Sequence, residues 1–149
     1  QMQTIERTNE VDRTGWPSGP WDSEPDYRQW LDSATGLPCL IVRNEDGAWC
    51  GYVGVPAGHP AYEQEFHADV AAIQDVEVHG GLTYSEHCAH RICHAVEDGE
   101  DDAVWWLGFD CFHACDACPV FRAGRGTYRD IGYVTEQVES LARQLKESA

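Results

Sequence analysis

Residues 104–119, VWWLGFDCFHACDACP, constrain the fold more than any other stretch. Val104, Trp105, Trp106, Leu107 and Phe109 are bulky and apolar, so the segment opens as a buried strand. It ends on Asp110, Cys111, His113, Cys115, Asp116 and Cys118. A rigid strand that delivers carboxylate, thiol and imidazole together is suited to hold an ion or a reacting group. The remaining chain is expected to be organised around that end.

The other segments supply a sheet and helices. Residues 39–43 and 48–55 read as two strands joined by the turn Asn44-Glu-Asp-Gly47. Within the second, Gly51 and Gly54 mark a bulge or a close backbone approach. Tyr62, Phe66, Val70 and Ile73 recur at helical spacing over 61–74. Residues 76–84 and 90–96 read as further strands. Over 130–146, Ile131, Val134, Val138, Leu141 and Leu145 form one apolar stripe with charge opposite. The expectation is an α+β fold in a single compact domain over 36–149. About five antiparallel strands are packed by the long C-terminal amphipathic helix and one further helix. Residues 1–35, broken by Pro17, Pro20 and Pro25, read as an irregular, aromatic-rich arm with a helical turn near 26–32. A hairpin of 90–96 with 104–110 about the acidic turn 97–102 would set His90 opposite Asp110 and Val96 opposite Val104. The same reasoning puts His79 near His94.

Seven cysteines among 149 residues is an odd number, which disfavours a fully paired disulfide framework. No secretory pattern is read at 1–10, where Glu6 and Arg7 interrupt any apolar run, and no stretch is apolar enough to span a membrane. The expected location is the cytoplasm, where thiols and metal are the better reading. Zinc is the expected cofactor. One arrangement closes a structural site on Cys115 and Cys118, completed by Cys88 and Cys111 or His113. A second, more open site uses Cys88, Cys111, His113 and Asp116, or keeps one position for water. His94 and Cys93 are further candidate donors. His79 and Asp110 are candidate bases for a metal-dependent hydrolase, although no nucleophile elbow, P-loop or dinucleotide fingerprint is present.

The net charge of −16 argues against general nucleic-acid binding and is compatible with plain solvation, with a basic partner or with mimicry of nucleic acid. Against that background residues 120–129 hold Arg122, Arg125 and Arg129, with Gly124 and Gly126 and no acid. They read as an anion pocket for a small phosphorylated molecule, or as a loop whose arginines pair with the acidic surface. His59, in the rigid loop 56–60, is a further candidate anion contact or a plain surface histidine.

The blocks GYVGVPAGHP, HGGLTYS, ICH, WWLGFDC-x-H-x-x-D and YRDIGYV resemble a group of small proteins of tailed phages, notably those of actinobacteria. The resemblance covers most of the chain after Cys50. It implies a phage accessory protein in the host cytoplasm and supplies no activity. It takes in the positions of Cys88, Cys93, His94, Cys111, His113 and Asp116 but not Cys115 or Cys118, and so favours the ligand set with Asp116. Three roles follow as expectations. One is capture of a small phosphorylated or nucleotide ligand, such as a signal of host defence. The second is metal-dependent hydrolysis. The third is blockade of a basic host surface by an acidic protein with a structural metal.

Overall fold

In the computed structural model, which describes residues 3–97, 103–121 and 125–149, the chain builds one six-stranded antiparallel sheet. Its strands are β1 (Ile5–Arg7), β2 (Tyr27–Leu31), β3 (Pro38–Arg43), β4 (Trp49–Val55), β5 (Tyr84–His87) and β6 (Trp105–Asp110). They lie in the order β1-β2-β3-β4-β6-β5. A four-residue helix, α1 (Ala71–Gln74), precedes β5, and the long helix α2 (Ile131–Glu147) closes the chain. A two-residue parallel pair, β7 (Asp116–Ala117) with β8 (Thr127–Tyr128), lies between β6 and α2. The α+β architecture with a C-terminal helix packed on an antiparallel sheet agrees with the sequence reading.

Alternation along the strands sorts the side chains onto two faces. Cys39, Ile41, Trp49, Val53, Val55, Trp105, Leu107 and Phe109 share one cluster with Val134, Val138, Leu141 and Leu145 of α2. Tyr27, Leu40, Val42, Cys50, Tyr52 and Trp106 form a second cluster on the opposite face. Both faces of β4 are therefore buried, which explains a strand that is apolar along its whole length. Gly51 is needed for close approach: a Cβ there would stand 2.5 Å from Val138 Cγ2 and 2.6 Å from the Phe109 ring.

The second face is covered by a flap, residues 88–97. Trp106 Nε1 donates to Cys88 Sγ at 3.3 Å, and the His94 ring meets the Trp106 ring edge-on at 5.2 Å. The Gln29 amide joins the flap backbone like a missing strand, accepting from Ala95 N at 2.8 Å and donating to its carbonyl at 3.0 Å. Tyr27 Oη donates to the Cys93 carbonyl at 3.1 Å.

Several sequence expectations are corrected. Residues 90–96 are not a strand: His90 has φ of 52° and a Cys88–Cys93 disulfide closes the segment into a loop. The strand beside β6 is instead β5, with Tyr84 opposite Gly108 and His87 opposite Trp105. Asp110 faces Cys50 rather than His90. The intervening turn lies largely outside the described residues. Residues 76–84 do not form a strand before Tyr84, because Gly80 and Gly81 both adopt positive φ and turn the chain. Their upstream backbone is satisfied by α2 side chains. Glu77 N donates to Gln144 Oε1 at 2.8 Å and His79 N to Gln137 Oε1 at 2.9 Å. The helix expected over 61–74 reduces to α1, since Glu63 has φ of 58° and the chain wraps the core as turns. Residues 1–35 are not irregular throughout, for β1 and β2 extend the sheet, and YRQWL is a strand where a helical turn was expected.

Candidate functional site

The end of β6 carries the chemistry that the ligand-rich stretch suggests, but the groups bond to one another. Asp116 is buried. Its Oδ2 accepts from His113 N at 3.0 Å and pairs with His79 Nε2 at 2.8 Å, and its Oδ1 accepts from Arg129 Nε at 2.9 Å. Burial works to raise the Asp116 carboxyl, but the hydrogen bonds from His79, Arg129 and the His113 amide outweigh it. They hold the group below the ordinary carboxylate range. The other ring nitrogen of His79 meets Tyr133 Oη at 2.7 Å. With both nitrogens engaged, His79 is placed to position Asp116 rather than to act as a base open to substrate.

His113 lies alongside, its ring centroid 5.8 Å from that of His79 and its Nε2 3.3 Å from Asp110 Oδ1. Gly80 makes room for it. A Cβ at Gly80 would run into the His113 ring, whereas at Gly81 it would meet nothing within 4 Å. Both glycines have positive φ, so alanine strains either backbone by about 1–2 kcal/mol. Only Gly80→Ala adds the collision. It should therefore destabilise more than Gly81→Ala and displace the His113 imidazole resonances, as thermal unfolding and NMR of the two variants would show. Equal shifts in both would mean that His113 is not seated against Gly80.

The zinc set read from the sequence does not assemble. Among the described residues, no three of Cys88, Cys111, His113 and Asp116 bring donor atoms within 4.8 Å of one another. Cys88 is joined to Cys93, whose Cα lies 4.6 Å away. Cys111 points into the α2-side core, where burial, reinforced by Asp116 and Cys50, pushes its thiol up. It is therefore a protonated packing group. Cys115 is exposed, and Cys118 is buried with Sγ donating to the Phe121 carbonyl at 3.4 Å. The group that does converge is Cys88, Cys93 and His94 on the flap, with its donor atoms within 4.8 Å of one another. Cys93 and His94 were visible as candidate donors, but their meeting with Cys88 depends on the tight loop that His90 starts.

The anion-binding candidates are dispersed. Arg129 is neutralised by Asp116 and stacks on Tyr133 at 5.0 Å. Arg125 is exposed, and Arg122 lies outside the described residues. His59 anchors its loop to the end of α2. Its Nδ1 accepts from Ala61 N at 2.9 Å, which leaves Nε2 to donate to the Leu145 carbonyl at 2.7 Å.

Asp110 lies at the open end of the flap side. Its Oδ1 accepts from Phe112 N at 3.1 Å and its Oδ2 from Thr83 Oγ1 at 3.0 Å. Beside it is a cleft of about 430 Å³ walled by Tyr52, Tyr84 and Phe112. Burial, with Asp110 adding to it, pushes the Cys50 thiol on the cleft floor up to about 12. Tyr52 and Tyr84 gave no signal in the sequence, since only the register of three strands brings them together.

No protein-family model, no curated protein and no solved structure matches the chain. Among the described residues, no helix is long and apolar enough to cross a membrane.

Proposed function

We propose that the chain is a metal-binding module in which reduced Cys88 and Cys93, with His94, hold one zinc ion that ties the loop of the flap together. The observation that carries this reading is the convergence of two sulfurs and an imidazole within 4.8 Å. Donor atoms on a tetrahedral zinc stand roughly 3.5–3.8 Å apart, so the donors are of the right soft type, and the two sulfurs, bonded to each other here, separate on reduction to share the ion. Water or another group would complete four-coordination.

The disulfide and the ion exclude each other. Opening the disulfide takes two electrons and two protons from a dithiol reductant, and zinc then displaces both thiol protons. Either state ties the two ends of the 88–93 loop, and with the disulfide formed Tyr27 and Gln29 hold the flap to the sheet. The sequence blocks support a phage accessory setting, and the strong acidity supports a basic partner there. The phosphorylated-ligand reading has less support, because Asp116 engages Arg129 and α2 engages His59.

Elemental analysis and native mass spectrometry of protein purified with a reductant and zinc test the proposal. The expected result is one zinc per chain in the parent and in Cys111→Ser, and none in Cys93→Ser. Untreated, oxidised protein should be two hydrogens lighter and metal-free. Zinc retained by Cys93→Ser, or none bound by the reduced parent, would overturn the assignment.

A further inference from the structure

We propose that the cleft beside Asp110 binds an organic ammonium head, a primary or methylated amine. The strand register builds the site. Tyr52 of β4 and Tyr84 of β5 both lie opposite Gly108 of β6. The central position has no side chain, so the Tyr52 ring lies over the Gly108 backbone, where a Cβ would collide with it. Tyr84 meets Tyr52 edge-on with ring centroids 5.1 Å apart. Two residues along the same face stands the Asp110 carboxylate, and Phe112, 41% exposed, forms the rim.

Those groups select for charge sign. Aromatic faces attract a cation, and an adjacent carboxylate gives it a charge-assisted hydrogen bond. A carboxylate has about four acceptor sites. Phe112 N donates to Oδ1, with His113 Nε2 3.3 Å away, and among the described residues Thr83 Oγ1 donates to Oδ2, which can accept a further N–H. A phosphate would face the same carboxylate unfavourably. The net charge of −16 adds a long-range attraction for cations. Arg91 of the flap also bears on the Cys50 thiol, so the floor feels both signs and the Asp110 contact must supply the preference. The cleft does not use the Cys88–Cys93–His94 group, so its test runs on the oxidised, metal-free chain and stands whether or not zinc binds.

Titrations followed by NMR use n-butylammonium, tetramethylammonium, n-butanol, inorganic phosphate and a short lysine-containing peptide. The parent should bind the ammonium ions and show no saturable shift with butanol or phosphate. Asp110→Asn should weaken n-butylammonium about tenfold or more. Tyr84→Leu should weaken tetramethylammonium about two- to fivefold. Thermal unfolding of both variants checks that each is folded, and Tyr84→Leu keeps the test decisive if Asp110→Asn is not. Peptide binding much tighter than the free amine would identify a basic protein segment as the source of the head, and equal binding a small amine. Butanol binding as well as butylammonium, or an affinity unchanged in both variants, would overturn the proposal.

Discussion

Arg43→Ala is expected to lower the free energy of unfolding by about 3–5 kcal/mol. Arg43 and Asp26 are both 0% exposed. The guanidinium donates from Nε to Asp26 Oδ1 at 3.1 Å, from Nη2 to Glu24 Oε1 at 3.0 Å, and from Nη1 to the Gly47 carbonyl and Tyr128 Oη, both at 2.8 Å. It also stacks on the Trp49 ring at 4.1 Å. Removing it leaves Glu24 without its cation, the Gly47 carbonyl without this donor and Asp26 with Arg13 as its remaining cation, so the cost is chiefly that of under-compensated partners. The same network reaches α2, because Glu24 Oε2 accepts from Ile131 N at 2.8 Å at the start of the helix. A loss of this size should lower the melting temperature by roughly 6–20 °C, read by calorimetry or circular dichroism. Arg13→Ala should cost less, since Arg13 is partly exposed and Arg43 would still neutralise Asp26. A change below about 1 kcal/mol in Arg43→Ala would show that the network is not what holds residues 24–26 to the sheet.

Leu141→Ala should cost about 3–5 kcal/mol. Leu141 is 0% exposed, in the cluster where α2 meets β3 and β4. Gly51 lets the helix approach so closely that little space remains for neighbours to move in, so the cavity should persist. Guanidinium unfolding of Leu141→Ala and Arg143→Ala provides the comparison. Arg143 is exposed on the outer side of the same helix, and its loss should stay within about 0.5 kcal/mol. If Leu141→Ala matched Arg143→Ala, the helix would not be a principal source of stability.

Helix α2 and strands β3, β4 and β6 were legible because their side-chain periods are local. A stripe at Val134, Val138, Leu141 and Leu145 can be satisfied only by a helix on an apolar surface. A run such as 104–109 needs burial on both faces. The concentration of chemistry at 110–116 was legible for the same reason, since composition alone displays it. Tertiary structure decided what those groups do. The alternation in 76–79 suits a strand, yet its hydrogen-bond partners are Gln137 and Gln144 of a helix more than fifty residues away in sequence. Residues 90–96 have strand-like composition, but the loop joining Cys88 to Cys93 turns them into a flap. Asp116 has the sequence setting of a metal ligand but pairs with Arg129 and His79, and a contact with His79, 37 residues upstream, leaves no local periodicity to read. The Tyr52–Gly108–Tyr84 row likewise exists only through the register of three strands, because a shift of one residue would send each ring to the opposite face.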